Sequence, residues 1–128
     1  MPARQHVAFV WLRVAVALLL FIHGAARVSD GTVDDFGVFF TLSGFPFGAA
    51  CAWTITLVEL AGGAALAAGF LVIPLCFWFA VQLAAGIALI HAKAGWFVVG
   101  AGRNGVEYSV LLIAALASLA IYQSGARR

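Results

Sequence analysis

Four stretches of this chain, residues 7–26, 47–70, 71–92 and 104–122, carry at most one formal charge each. A helix that crosses the hydrocarbon of a bilayer needs about 20 mostly apolar residues. Each stretch is near that length, and together they take up most of a chain of 128 residues. The stretches are rich in Leu and Ala and lack the apolar–polar alternation of barrel strands. A helix satisfies its own backbone hydrogen bonds in lipid, which an isolated strand cannot do. The expected class is therefore all-α: an integral membrane four-helix bundle forming one transmembrane domain over residues 1–128. Composition agrees. Soluble domains have about 45–50% apolar and about 25% charged residues. This chain is 65% hydrophobic and 9% charged, with a mean hydropathy of +1.10. Too little polar surface is present to face water on all sides, so the main partner is a lipid bilayer.

The first stretch has some ingredients of a signal peptide: Arg4, an apolar run, and small residues at Gly24, Ala25 and Ala26. Its length and the interrupting Arg13 favour a retained span. Between the first and second spans, Asp34 and Asp35 precede Phe36, Val38, Phe39, Phe40 and Leu42. Acidic groups suit a helix N-terminus. This piece is too short to cross, so a brief interfacial helix with its rings toward lipid is expected. Gly69 and Pro74 bracket a tight turn between the second and third spans, which predicts antiparallel neighbours.

An even number of spans puts both termini on one side. That side carries Arg4, Arg127 and Arg128, and the opposite side Arg27, Lys93 and Arg103. Orientation follows the Lys/Arg bias. The tie is broken by Arg13, on the terminal side of the first span, and predicts cytoplasmic termini in a bacterial inner membrane. Trp11 and Trp78 fall toward the terminal side, and Trp53 and Trp96 toward the other, as paired aromatic belts do. The net charge of +2 is scattered, whereas nucleic-acid binding needs a clustered basic face.

At about 1.5 Å of rise per residue, position along a span becomes depth. His23 closes the first span and His91 the third, both on the side away from the termini. Asn104 and Glu107 open the fourth span from that side. Glu59 lies twelve residues into the second, roughly 18 Å deep. These five residues are the candidate ligand-binding or proton-handling set: a layer drawn from three spans, with Glu59 as its floor.

Each has a structural reading as well. An acid at mid-bilayer costs about 2.5–3.5 kcal/mol on insertion scales, so Glu59 is expected to face inward, paired. Arg13, the one basic residue well inside a span, is the expected ion-pair partner. Ala61, Gly62, Gly63, Ala65 and Gly69 would let a neighbouring helix approach closely. His23 and His91 read as helix-end residues, as weak metal or haem ligands, or as groups exchanging protons with a quinone. His6, before the first span, reads as solvated. Asn104 reads as a helix N-cap with Glu107 at the third helical position, in a capping-box arrangement. Cys51 and Cys76 fit neither a CxxC nor a zinc spacing. Their helices put the sulfurs roughly 20 Å apart in depth, too far for a disulfide.

The chain resembles the DoxX family of small bacterial membrane proteins. The resemblance rests on Arg13 through the LLLFIHGAAR run, on FFTLSGFPFG at 39–48, on VELAGGAALAAGF at 58–70, and on HAKAGWFVVGAGRNGVEYSVLL at 91–112. It implies a four-span bundle associated with respiratory redox chemistry of the thiosulfate:quinone oxidoreductase kind, and points to His23, Glu59, His91, Asn104 and Glu107. No flavin, nicotinamide or iron–sulfur motif is present in the sequence, so any oxidoreductase role would need electrons from a redox partner protein. The expected function is thus a quinone-interacting, redox-associated subunit. Two other readings stand beside it: a non-catalytic scaffold or assembly subunit, and a metal or haem site built on His23 and His91; a homo-oligomer is a further partner to be considered.

Overall fold

The computed structural model describes residues 2–100 and 102–127. Among these, five α-helices and no strand are formed: α1 (Pro2–Asp30), α2 (Val33–Leu42), α3 (Gly48–Ala68), α4 (Val72–Leu89) and α5 (Glu107–Ala126), with a single 3-10 turn, His91–Ala94, after α4. The helices α1, α3, α4 and α5 are long and apolar enough to cross a membrane. The all-helical class, the four spans and the short helix between the first two agree with the sequence expectation.

The boundaries shift in an instructive way. Helix α1 is longer at both ends than the apolar run, because nothing before Gly31 breaks it; Gly31 has φ +69°. Arg27, one residue past the expected span, therefore sits inside the helix. Helix α3 closes at Gly69, φ +89°, where the amides of Gly69 and Phe70 bond to the carbonyls of Leu66 and Ala65. This is the Schellman pattern, which satisfies carbonyls left over at a helix end. Only residues 69–71 connect α3 to α4. Helix α5 begins at Glu107, three residues later than the apolar pattern predicts.

The chain divides into two compact units. The first unit holds the opening turns of α1, through Val16, with α4, the 3-10 turn, the following loop and α5. Here α4 buries Val72, Cys76 and Phe79, and α5 buries Leu112, Leu116 and Leu119. Both sets recur every three or four residues, the spacing of one helix face. Near the end of α5, Tyr122 stacks on Phe9 at 4.2 Å and its hydroxyl lies 2.9 Å from His6 Nδ1. His6 is exposed, as expected, but it is also tied to another helix.

The second unit holds α1 from Ala17 onward with α2 and α3. A Cβ on Gly63 would lie 3.1 Å from Phe21 Cβ and 3.2 Å from the Ala17 carbonyl, and one on Gly24 would lie 3.0 Å from the Thr56 carbonyl. As α1 advances from 17 to 24, its contacts on α3 retreat from 63 to 56, so the two helices are antiparallel. The small residues are what bring their backbones this close. On α2, Val33 and Phe40 pack with Ala52 of α3, flanked by Phe36, Phe39, Cys51 and Ile55. Rings expected to face lipid thus pack against a helix, while Val38 and Leu42 on the same short helix stay exposed.

Candidate functional site

In the second unit, Glu59 is buried and forms an ion pair with Arg27. The guanidinium uses two arms: Nη2 donates to Glu59 Oε1, and Nε donates to Thr56 Oγ1 at 3.2 Å. Thr56 and Glu59 are three residues apart and so share one face of α3. The Thr56 hydroxyl hydrogen is committed to the Ala52 carbonyl at 2.8 Å, which leaves its oxygen to accept from arginine. From α2, the Phe36 ring lies 4.8 Å from the guanidinium carbon, a distance at which the ring's negative face attracts a cation. Three helices thus converge on one charge.

The approach depends on Gly24. It lies one turn before Arg27 on the same face of α1, and a Cβ there would be 3.1 Å from Glu59 Cβ. A larger residue would push α1 off α3 and lift the guanidinium away from the carboxylate.

From the sequence, Glu59 is expected to be an inward, paired acid with Arg13 as its partner. The structure puts Arg27 there. The apolar run stops at Ala26, so hydropathy alone leaves Arg27 outside the span. The signal that would have found it is the matched spacing Gly24-x-x-Arg27 and Thr56-x-x-Glu59, one small residue and one polar arm on each turn. Arg13, half-buried, belongs to the first unit.

His23 is exposed, and its Nδ1 lies 2.7 Å from the Leu19 carbonyl on its own helix. A carbonyl can only accept, so Nδ1 carries the hydrogen and a neutral ring keeps its lone pair on Nε2. Gly24 and Arg27 are the residues that α1 turns toward Glu59.

In the first unit the loop from 95 to 106 doubles back on itself. The amides of Gly105, Val106 and Glu107 donate to the carbonyls of Phe97, Gly95 and Trp96, at 3.0–3.1 Å. Gly105 is required here, since a Cβ would lie 2.4 Å from the Trp96 carbonyl carbon. Glu107 Oε1 accepts from the Val98 amide at 2.7 Å and from the Val99 amide at 3.3 Å. His91 Nδ1 meets the Asn104 carbonyl at 2.8 Å. By the same donor logic, His91 has Nδ1–H and a basic Nε2.

The capping-box expectation is therefore corrected. Asn104 is left-handed, φ +59°, and the residue capping α5 is Val106, which makes no side-chain capping bond. Glu107 is the first residue of α5, and its carboxylate holds the preceding loop instead of the helix end. The Asn104 backbone, not its side chain, contributes to the site. The structure brings His91, Asn104 and Glu107 together around this loop, and Glu59 together with Arg27, Thr56 and Phe36. Among the described residues, no three of His, Cys, Asp and Glu gather as a metal site. Cys51 and Cys76 are both free thiols, with Cys51 Sγ 3.7 Å from the Pro46 carbonyl.

The DoxX family model matches residues 8–92, more than half of the chain. The chain belongs to the DoxX family. The match takes in His23, Arg27, Glu59 and His91 and ends before Asn104 and Glu107, so the hairpin loop lies outside the matched part of this DoxX protein. No curated protein and no solved structure matches the sequence. Four spans in a DoxX chain make this a multi-pass membrane protein.

Proposed function

We propose that this DoxX protein is a quinone-interacting membrane subunit in which His91 meets the quinone headgroup. The supporting observation is the His91 tautomer. Its Nδ1–H is spent on the Asn104 carbonyl, so Nε2 is left as an acceptor for a quinol hydroxyl. An imidazole nitrogen can take and return a proton. Quinone reduction consumes two electrons and two protons. In this reading the electrons come from a partner protein bearing a redox centre, and His91 relays protons. The Arg27–Glu59 pair serves as a structural tie, since both charges are committed to each other.

The reading also carries an orientation. With Arg27 taken up by Glu59, the loop side retains Lys93 and Arg103 against Arg4, Arg127 and Arg128 at the termini. The Lys/Arg bias then favours cytoplasmic termini in an inner membrane.

The test is quinone binding by the purified protein in nanodiscs, together with quinol formation in membranes that carry its native partners. The expected result is that His91→Phe weakens quinone binding at least tenfold, while His23→Ala leaves it within about twofold. Equal binding by wild type and His91→Phe would overturn the assignment. No quinone affinity, with stable co-purification of other membrane proteins, would establish the scaffold reading instead. A Soret band lost in His91→Phe would establish haem ligation.

A further inference from the structure

The loop between α4 and α5 has a surface that the quinone reading does not use. Trp96 is 51% exposed, Phe97 48% and Val99 73%. Lys93 and Arg103, at the two flanks of the same loop, are also exposed. Apolar groups on a flexible loop would carry little meaning, but the arm that carries these is held in shape. Three backbone bonds close the hairpin, Glu107 Oε1 takes two of its amides, and His91 anchors its far arm. Gly105 is packed too tightly against Trp96 for any side chain. A constrained loop thus presents an indole, a phenyl ring and an isopropyl group outward, with a cation on each side.

We propose that this hairpin is an interfacial foot. It lies in the headgroup layer of the protein's own bilayer, with Trp96, Phe97 and Val99 inserted at the acyl boundary and Lys93 and Arg103 on lipid phosphates. Three arguments choose lipid over a protein partner. The loop joins the ends of two spanning helices, so it begins and ends at the membrane surface. Its chemistry is that of an interface anchor: indole rings settle at headgroup level, and long basic side chains reach out to the phosphates. The two helices that it joins, α4 and α5, also leave Val81, Val110, Leu111 and Ile121 exposed, as spans that face lipid do. The function of Glu107 follows. By fixing the Val98 and Val99 amides it holds this arm of the loop in the shape that inserts, and it satisfies two backbone donors that would otherwise enter a poorly hydrating layer.

The test uses the full chain in liposomes, with Trp11, Trp53 and Trp78 changed to Phe so that Trp96 alone reports. Lipids brominated near the headgroup end of the acyl chain are expected to quench Trp96 at least twofold more than lipids brominated deep in the chain. Aqueous acrylamide is expected to quench it weakly. Thirty per cent phosphatidylglycerol (on the order of a bacterial anionic fraction) is expected to deepen the quenching, and Lys93→Gln/Arg103→Gln to abolish that dependence. Strong acrylamide quenching with no bromolipid effect would overturn the proposal, as would deep-chain quenching that exceeds the shallow. Should the triple variant fail to fold, 5-fluorotryptophan in the otherwise unaltered protein gives the same answer. Its Trp96 resonance is assigned by Trp96→Phe, and it should broaden with a headgroup nitroxide lipid and not with a soluble gadolinium chelate. The opposite pattern would place the loop in water.

Discussion

The chain has two glutamates, both inside spanning helices and held in opposite ways. Glu59 is buried against another side chain, with Arg27 as counter-charge and Thr56 and Phe36 completing the cage. Glu107 is half-buried against backbone, with the amides of Val98 and Val99 as donors. The first arrangement ties helices that are distant in sequence, and its partners would be left charged if it were broken. The second shapes one loop within nine residues of itself. Similar chemistry thus sets the packing of one unit and the form of a loop in the other. Loss of Glu59 should be felt globally and loss of Glu107 locally.

The largest effect expected is from Glu59→Ala. It leaves the Arg27 guanidinium without its carboxylate in a site where its side chain is only 19% exposed. Breaking one side of a buried pair costs about 3–5 kcal/mol. Thermal unfolding in detergent should show the drop, and the double variant Arg27→Met/Glu59→Met should recover most of it, because no charge is stranded. A double variant as unstable as the single one would mean that the pair does more than neutralise itself.

Next in size is Gly24→Leu. The new side chain meets the Thr56 carbonyl and Glu59 Cβ, atoms that cannot give way without moving α3. Overpacking of this kind costs about 1–3 kcal/mol. It should also weaken the coupling between Arg27 and Glu59, so a double-mutant cycle run in the Gly24→Leu background should return a smaller interaction energy. An unchanged cycle would show that the ion pair does not need the close helix approach.

What could be read from the sequence divides along the same line. The spans were legible because hydropathy over 20 residues is a local sum, and Glu59 was legible because an acid in such a run has few places to go. Its partner was not. Arg27 lies one residue past the apolar run, and hydropathy does not say where a helix ends; only Gly31, with its positive φ, marks that point. The hairpin was harder still. Asn104 followed three residues later by glutamate is a sound local capping pattern, yet the pairing of Phe97 with Gly105 and of Trp96 with Glu107 overrides it. Those bonds link the two arms of the loop across a tip that carries no periodic signal.

Glu107→Gln tests the local half of the comparison. A glutamine oxygen still accepts one amide bond but loses the charge that strengthens it, a difference of about 1 kcal/mol. Hydrogen exchange at the Val98 and Val99 amides should speed by about fivefold, with the unfolding midpoint almost unmoved, because a loop can open without the rest of the fold. A fall in the midpoint as large as that of Glu59→Ala would erase the distinction between the two glutamates.

The smallest effect is expected from Thr56→Val, and it separates the two arms of Arg27. Valine keeps the shape of threonine but cannot accept from Nε, so that hydrogen bond is lost, together with the hydroxyl's local bond to the Ala52 carbonyl, while the ion pair stays. A net loss of about 0.5–1.5 kcal/mol is typical for such a bond. The expected figure is at the lower end, because the guanidinium is partly exposed and Nε can turn toward water. In the Glu59→Ala background the cost of Thr56→Val should change. If threonine orients the guanidinium for the carboxylate, its removal matters less once the carboxylate is gone, and the two substitutions are less than additive. If threonine is instead the remaining anchor for a stranded charge, its removal matters more. The sign of that coupling therefore states whether Glu59 alone holds Arg27 or whether α3 holds it with two residues acting as one.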